Sequence, residues 1–342
     1  MIAYFPSLYP DELLYSLFTR YFVKSGYMGY ASAAEDLFAN KITHPDIEFI
    51  NRLSDEVIGH LQKQMPLEEL IEKHTMFPYY GRFLRRERRQ QALSMLIQMD
   101  ERYHNLIYVT KSKSNTRYLR YCPVCAARDR KIYGEAYWHR SHQLAGVNVC
   151  RVHTRYLIDS TVEISSKTSP YLYSAEEMIP LEEEAVYCSR DLERDIADYV
   201  DSVFHSPMDM ETDIPVGRFF HSKMEGTQYL SPRGEQRNMA LLFRDFSNFY
   251  KEIDDVPIKE QWQLQKMMSS DRLSTYEVCL VALFLDIPAE QLVRMTIPEK
   301  SQSERFDERI RMLHAQGLKY PEIARRMSAP YDVVKAIGEG RY

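Results

Sequence analysis

Two short pairs of metal-seeking residues constrain this chain more than anything else in it. Cys122-Pro123-Val124-Cys125 is followed, 24 residues later, by Cys150-Arg151-Val152-His153. A CxxC turn aims two sulfurs at one point, and a second pair at the same spacing completes a tetrahedron of soft donors. Three thiolates and one imidazole suit zinc, and four protein ligands leave no position for a reacting water, so one structural Zn2+ on Cys122, Cys125, Cys150 and His153 is expected. His139 and His142 lie between the pairs, and either could replace His153. A zinc hydrolase would instead need an open coordination position and a base such as Glu135. The remaining cysteines, Cys188 and Cys279, lack partner spacing and read as plain thiols. With five cysteines in all, metal ligation in a reducing cytoplasm is expected rather than a disulfide framework.

A chain of 342 residues exceeds one compact core and calls for several domains. Only 12 glycines stand against 25 tyrosines and 15 phenylalanines, which argues against a glycine-punctuated barrel and against disorder. No apolar run approaches the roughly 18 residues of a membrane span, so no membrane partner is expected. The opening Met1-Ile2-Ala3-Tyr4-Phe5-Pro6 has no basic stretch leading into an apolar one, and a cytoplasmic location follows as the expectation.

Helical periodicity predicts helices over 10–25, 31–38, 54–65, 67–73 and 84–99. In the first of these Asp11 and Glu12 would occupy the opening turn. Residues 1–110 thus read as a helical N-terminal domain. Residues 111–160 read as a small zinc-binding module of short β pieces, with one helix near 135–145. Residues 161–300 read as an acidic segment, with loops at Ser165–Pro170 and His205–Asp213, followed by a helical domain that includes an apolar stretch at Tyr276–Leu285. The expected fold is mainly α and multi-domain.

Residues 301–342 read as a helix-turn-helix unit, with helices over Phe306–Gln316, Pro321–Met327 and Tyr331–Ile337. Phe306, Ile310, Leu313, Ala324, Met327, Val334 and Ile337 would fill its core. Tyr331, Asp332 and Lys335 would project outward into a groove, with Arg325 and Arg326 on phosphate. The unit carries eight Lys/Arg against six Asp/Glu, so its binding to DNA alone should be weak.

The net charge of -5 conceals a strong asymmetry. Residues 82–90 hold five arginines and one glutamate; residues 111–155 hold ten Lys/Arg against two Asp/Glu; residues 176–213 hold thirteen acids against two arginines. The local charge keeps nucleic acid in play, with Arg117, Arg120, Arg128, Lys131 and Arg140 as candidate backbone contacts. No phosphate-binding GxxxxGK[ST] loop, GxSxG elbow, HExxH pair or GxGxxG turn occurs, and the chain reads as a binding protein without catalytic residues.

Several stretches resemble the TniQ/TnsD family of transposon target-site selectors: Tyr9-Pro10-Asp11-Glu12-Leu13-Leu14-Tyr15-Ser16, Glu72-Lys73-His74-Thr75-Met76-Phe77-Pro78-Tyr79-Tyr80, Arg120-Tyr121-Cys122-Pro123-Val124-Cys125, and Tyr133-Gly134-Glu135-Ala136-Tyr137-Trp138-His139-Arg140 leading to Val149-Cys150-Arg151-Val152-His153. The resemblance is specific over residues 5–160 and loose over 161–300. It implies zinc on the same four ligands and an N-terminal helical region that recruits an AAA+ ATPase, which activates the transposase. Longer TnsD-like members read an attachment site in double-stranded DNA themselves, whereas shorter TniQ members dock on a CRISPR RNA-guided effector. The phrasing of 72–80 and the terminal helix-turn-helix favour direct DNA reading. Longer members continue well past the point at which Gly338 closes the last helix, so a shortened chain is the expectation.

Overall fold

The computed structural model describes residues 2–39, 45–107, 117–164, 172–254, 256–270 and 273–341. The expected loop at Ser165–Pro170 and the lysines that open the basic stretch, Lys111 and Lys113, lie outside them. Among the described residues the chain is mainly helical, with seventeen α-helices and four short strands. It divides into two compact units, Met1–Asp213 with Arg272–Leu280, and Ile214–Asp271 with Val281–Tyr342.

The first unit begins with α1 (Leu14–Ser25), α2 (Tyr30–Leu37), α3 (Asp55–Gln62), α4 (Leu67–His74), α5 (Phe77–Gly81) and α6 (Arg86–Ile97). Leu13, Leu17, Leu37, Leu53, Val57, Leu61, Leu70, Leu96 and Tyr103 are fully or nearly fully buried, so the helices share one apolar core. Helix α1 starts four residues later than its periodicity predicts. Residues 9–12 instead form a turn, with Glu12 N–H on the Tyr9 carbonyl at 3.2 Å and Asp11 at φ 56°, which pairs with a distant segment: Leu13 N–H donates to the Trp138 carbonyl at 2.9 Å and Arg140 N–H to the Asp11 carbonyl at 2.9 Å. Gly26, at φ 72°, closes α1 in the left-handed conformation that glycine adopts without strain.

After α6 come β1 (Tyr118–Tyr121), α7 (Pro123–Tyr133), β2 (Val149–Cys150), β3 (Arg155–Tyr156), β4 (Ile158–Glu163), α8 (Ala175–Met178) and α9 (Asp191–His205). Strands β1 and β4 pair antiparallel, with Tyr121 opposite Ile158, and β2 pairs antiparallel with β3. The helix expected near 135–145 does not form. That stretch is irregular, with one short 3-10 turn at Ser141–Gln143, because its backbone is engaged with residues 11–13. The helix of this region is α7, which the apolar pattern does not disclose, although proline at its first turn and Gly134 just past its end mark both boundaries. Helix α9 is likewise hidden by its acidic charge; Ile196, Ala197, Val200, Val203 and Phe204 form its buried stripe.

The second unit holds α10 (Val216–Lys223), α11 (Met239–Phe249), α12 (Gln261–Met267), α14 (Ala289–Val293), α15 (Gln302–Ala315), α16 (Tyr320–Arg326) and α17 (Tyr331–Gly338), while α13 (Thr275–Phe284) crosses the division. A Cβ at Gly217 would stand 2.0 Å from the Met268 carbonyl oxygen, so only glycine lets α10 approach the end of α12 this closely. Bonds between residues 11–13 and 138–140 and the β1–β4 pairing join residues on either side of 110 and 160, and α15 lies in the second unit.

Candidate metal centre and basic surfaces

Both ligand pairs sit at the ends of the small strands. Cys122 follows β1 and caps α7, with Pro123 at the first helical position, where a missing N–H costs nothing. Cys125 lies in the first turn of α7, where the helix dipole favours a thiolate. Cys150 ends β2, and the turn to β3 brings His153 round beside it; Thr154 N–H donates to the Cys150 carbonyl at 2.8 Å. The three sulfurs and the His153 nitrogen all lie within 4.8 Å of one another.

The edges of this group fit a metal-sized tetrahedron. Bonds of about 2.3 Å to sulfur and about 2.0 Å to nitrogen imply edges of roughly 3.5–3.8 Å. Cys125 Sγ lies 3.7 Å from Cys150 Sγ, and His153 Nδ1 lies 3.7, 3.2 and 3.8 Å from the sulfurs of Cys122, Cys125 and Cys150. The cysteines are buried, with Val124 and Leu157 packed over them. Without a cation these thiols compete for protons. Cys122 is driven far below the ordinary thiol range by hydrogen bonds from Cys125 and Cys150, while Cys150 is pushed up to about 11, first by its bond with Cys122. A divalent cation would replace the shared protons and let all three ionise, so the donor set fits a metal ion.

The structure brings His153 to this cluster and leaves the other candidate histidines out of it. His139 Nε2 is 2.6 Å from Asp129 Oδ2, and its ring stacks on Tyr137 at 4.2 Å. His142 is buried separately beside His139. Glu135, the base that a hydrolase would need, is committed elsewhere: it accepts from Arg20 Nε at 2.9 Å and Tyr9 OH at 3.0 Å, and pairs with Lys24. Cys188 and Cys279 are buried.

The stretches that carried the family resemblance meet in space. Glu12, fully buried, accepts from Arg20 Nη1 at 2.9 Å and from Ser16 Oγ at 2.9 Å; Ser16 Oγ in turn accepts from Trp138 N–H at 3.0 Å. Asp11 accepts from Arg140 Nε at 3.0 Å and Ser141 Oγ at 2.6 Å, and His205 Nε2 is 3.0 Å away. Burial acts to raise the Asp11 carboxyl, but Arg140 and His205 override it and hold the group well below the carboxylate range. His205, hydrogen-bonded to Asp11 and Asp201 against the opposing effect of burial, is pushed up to about 10. The acids read as first-turn residues of α1 thus join three remote parts of the unit.

The same network absorbs much of the basic stretch. Arg140 is 5% exposed and also donates to the carbonyls of Glu72 and Thr75. Arg120 donates to the carbonyls of Val147 and Leu144 at 2.6 and 2.7 Å, and Arg117 pairs with Glu48 at 2.8 Å. Of the five residues expected on phosphate, Arg128 and Lys131 are the exposed ones. Two of the five arginines of 82–90 behave alike: buried Arg82 donates to the carbonyls of Phe204 and Pro207 at the end of α9, and buried Arg89 to that of Thr212 at 2.8 Å, whereas Arg86 is exposed. The aromatic wealth of the N-terminal helices is also largely internal. Tyr15, Phe18 and Tyr21 are buried, and Val23, Tyr27 and Met28 remain exposed at the end of α1.

Residues 3–157 match the TniQ family. This part of the chain is a TniQ domain. Over 154 residues the chain is 31% identical to the Transposon Tn7 transposition protein TnsD of Escherichia coli, a match that covers 44% of this chain and 30% of that protein. The chain therefore spans less than a third of the relative that it matches. The TniQ domain contains both ligand pairs and the Asp11–Arg140 and Glu12–Arg20 networks, and it ends beside β4.

Beyond the TniQ domain, the terminal helices form as expected. Phe306, Ile310, Leu313, Ile323, Ala324, Val334 and Ile337 make one buried cluster, with Met327 packed against it. Arg325, Arg326, Tyr331 and Asp332 are exposed and Lys335 is half-exposed. Gly338 has no room for a Cβ, which would stand 2.3 Å from the Tyr320 ring. Among the described residues no helix is long and apolar enough to cross a membrane.

Proposed function

We propose that this chain is a non-enzymatic target-site selector of a TniQ/TnsD-type DNA transposon, which binds double-stranded attachment-site DNA and recruits the AAA+ transposition regulator. The observation that carries this reading is a TniQ domain, with its Cys3His group, followed in the same chain by a three-helix terminal unit in helix-turn-helix order. In it a structural Zn2+ on Cys122, Cys125, Cys150 and His153 holds α7 against the β2–β3 turn. Arg128 and Lys131 on the exposed side of α7 meet phosphate, Arg325 and Arg326 do so on α16, and Tyr331, Asp332 and Lys335 face base edges from α17. The exposed Val23, Tyr27 and Met28 offer an apolar seat for the ATPase, a kind of residue that suits the centre of a protein interface.

A second reading, an adaptor that links a CRISPR RNA-guided effector to the ATPase, draws on one observation: Arg117, Arg120 and Arg140 are engaged within the fold, which leaves little free charge for naked DNA. A mobility shift on naked duplex carrying the insertion site, against unrelated duplex, decides. Site-specific retardation supports direct reading, and equal affinity for both supports the adaptor.

A further inference from the structure

We infer that the turn at 225–235 clamps the terminal three-helix unit onto the body of the second unit, and that Arg233 is a positioning residue for DNA reading. The inference rests on the proposed DNA-binding role for its functional half and on geometry alone for its structural half.

The clamp converges on the first two turns of α15. Arg233 donates to Asp307 through two nitrogens, Nε to Oδ1 at 3.1 Å and Nη2 to Oδ2 at 2.9 Å, with both side chains 14% exposed. A paired, planar interaction of this kind fixes angle as well as distance. Arg233 also meets Glu235 at 2.9 Å, which holds the guanidinium on its own turn. At the first residue of α15 Gln302 Nε2 donates to the Pro232 carbonyl at 2.9 Å, and three residues on Arg305 pairs with Glu225.

The turn is built to receive them. Ser231 N–H bonds to the Gln236 carbonyl at 2.9 Å and Gly234 N–H to the Ser231 carbonyl at 2.7 Å, which folds residues 231–236 tightly. Gly234 sits at φ +82°, and a Cβ there would stand 2.9 Å from Gln302 Oε1. Side chain, turn and helix therefore fit one another in one arrangement. The linker before α15 is held at its start by the turn at Arg294 and the buried Met295, runs on as extended or bent backbone to residue 300, and the helix begins at a Ser301–Glu304 capping box. Beyond that start the contacts that fix the first turns of α15 come from 225–235, so those side chains set the orientation of the terminal unit. A reading helix held in one orientation loses less freedom on meeting a groove, and a head that is competent only a tenth of the time binds about tenfold more weakly.

The experiment uses the full chain with spin labels at Lys251→Cys and Gln316→Cys, both exposed, since the native cysteines are buried. The parent should give one narrow distance distribution. Asp307→Ala should broaden it, and the exchange Arg233→Asp with Asp307→Arg should restore it. The same variants are titrated against duplex carrying the insertion site and against unrelated duplex. Asp307→Ala should lose about tenfold on the site duplex, with unrelated duplex unchanged. Unbroadened distances in Asp307→Ala would overturn the clamp. Broadened distances with full site affinity would overturn the positioning role. A parent that shows no preference for the site duplex would instead defeat the DNA-reading proposal, with the clamp still decided by the distances.

Discussion

The TniQ domain and the terminal three-helix unit both look basic in sequence, yet they use their arginines in opposite ways. In the TniQ domain Arg20, Arg82, Arg89 and Arg140 are each 5% exposed or less and bind carboxylates or backbone carbonyls across the first unit. In the terminal unit the buried cluster is apolar throughout, and Arg325 and Arg326 point to solvent. The difference teaches that a count of charges along a chain says little about its surface. Whether an arginine faces water depends on partners such as Asp11, Glu12 and Glu48, which can lie far away in sequence.

The two regions should differ most at the metal. Elemental analysis should find about one zinc per chain. Cys122→Ser or Cys150→Ser should unfold the TniQ domain locally, at a cost on the order of 10 kcal/mol of metal-coupled folding free energy. By calorimetry, the transition of the terminal unit should survive. A folded, metal-free TniQ domain would remove the zinc assignment. Next in size is the buried ion pair. Arg140→Ala leaves Asp11 with His205 as its remaining cationic partner and strips the Glu72 and Thr75 carbonyls of a donor, and should cost on the order of 3 kcal/mol in denaturant unfolding. Arg326→Ala, on an exposed face, should stay within about 0.5 kcal/mol. Equal costs would erase the contrast between inward and outward arginines.

Acid should also act first on the TniQ domain. His74 is 5% exposed, its Nδ1 is 2.7 Å from the Glu12 carbonyl, and burial pulls its pKa down to about 4. Above pH 6.5 the ring is neutral in both folded and unfolded chains and no stability is forfeited. Between 6.5 and 4 the unfolded chain takes the proton and the folded one does not, so stability falls by about 3 kcal/mol across that window. Its mirror is His205, whose raised pKa adds stability below 6.5 that fades as pH rises through about 10. Denaturant midpoints of His74→Leu and the parent should converge near pH 4 if His74 carries the acid loss; parallel curves would exclude it.

What can be read from the sequence is what depends on near neighbours. The ligand pairs are such a case, because two residues of spacing fix their turn geometry, and so are the last two helices, which fall within a residue of their expected limits. Helix α15 starts four residues before Phe306 because Ser301 and Glu304 form a capping box that the apolar pattern does not reveal. Pro10–Leu13 mislead because Asp11 and Glu12 look like first-turn acids until Arg140 and Arg20 come within reach. The extent of the first unit is hidden for the same reason: pairs 8 to 194 residues apart hold it together, and no local pattern announces them.

The smallest effects test the outward-facing side of the comparison. Arg128→Glu with Lys131→Glu should weaken binding to every duplex alike and lower the logarithmic salt slope by roughly 0.9 for each phosphate no longer neutralised. Lys335→Ala should instead cost about 1–3 kcal/mol on the site duplex and relax the preference at one base pair, since a base-edge hydrogen bond carries sequence information and a phosphate ion pair does not. Asp332, one turn before Lys335 on α17, makes the two outcomes separable. Its carboxylate is repelled by phosphate and is tolerated in a groove only opposite a cytosine amino group. Asp332→Asn should therefore strengthen binding to unrelated duplex slightly while it loses discrimination on the site. If both variants at 332 and 335 change the two duplexes equally, the terminal unit touches only backbone, and its outward arginines do no more than Arg128 and Lys131 on α7.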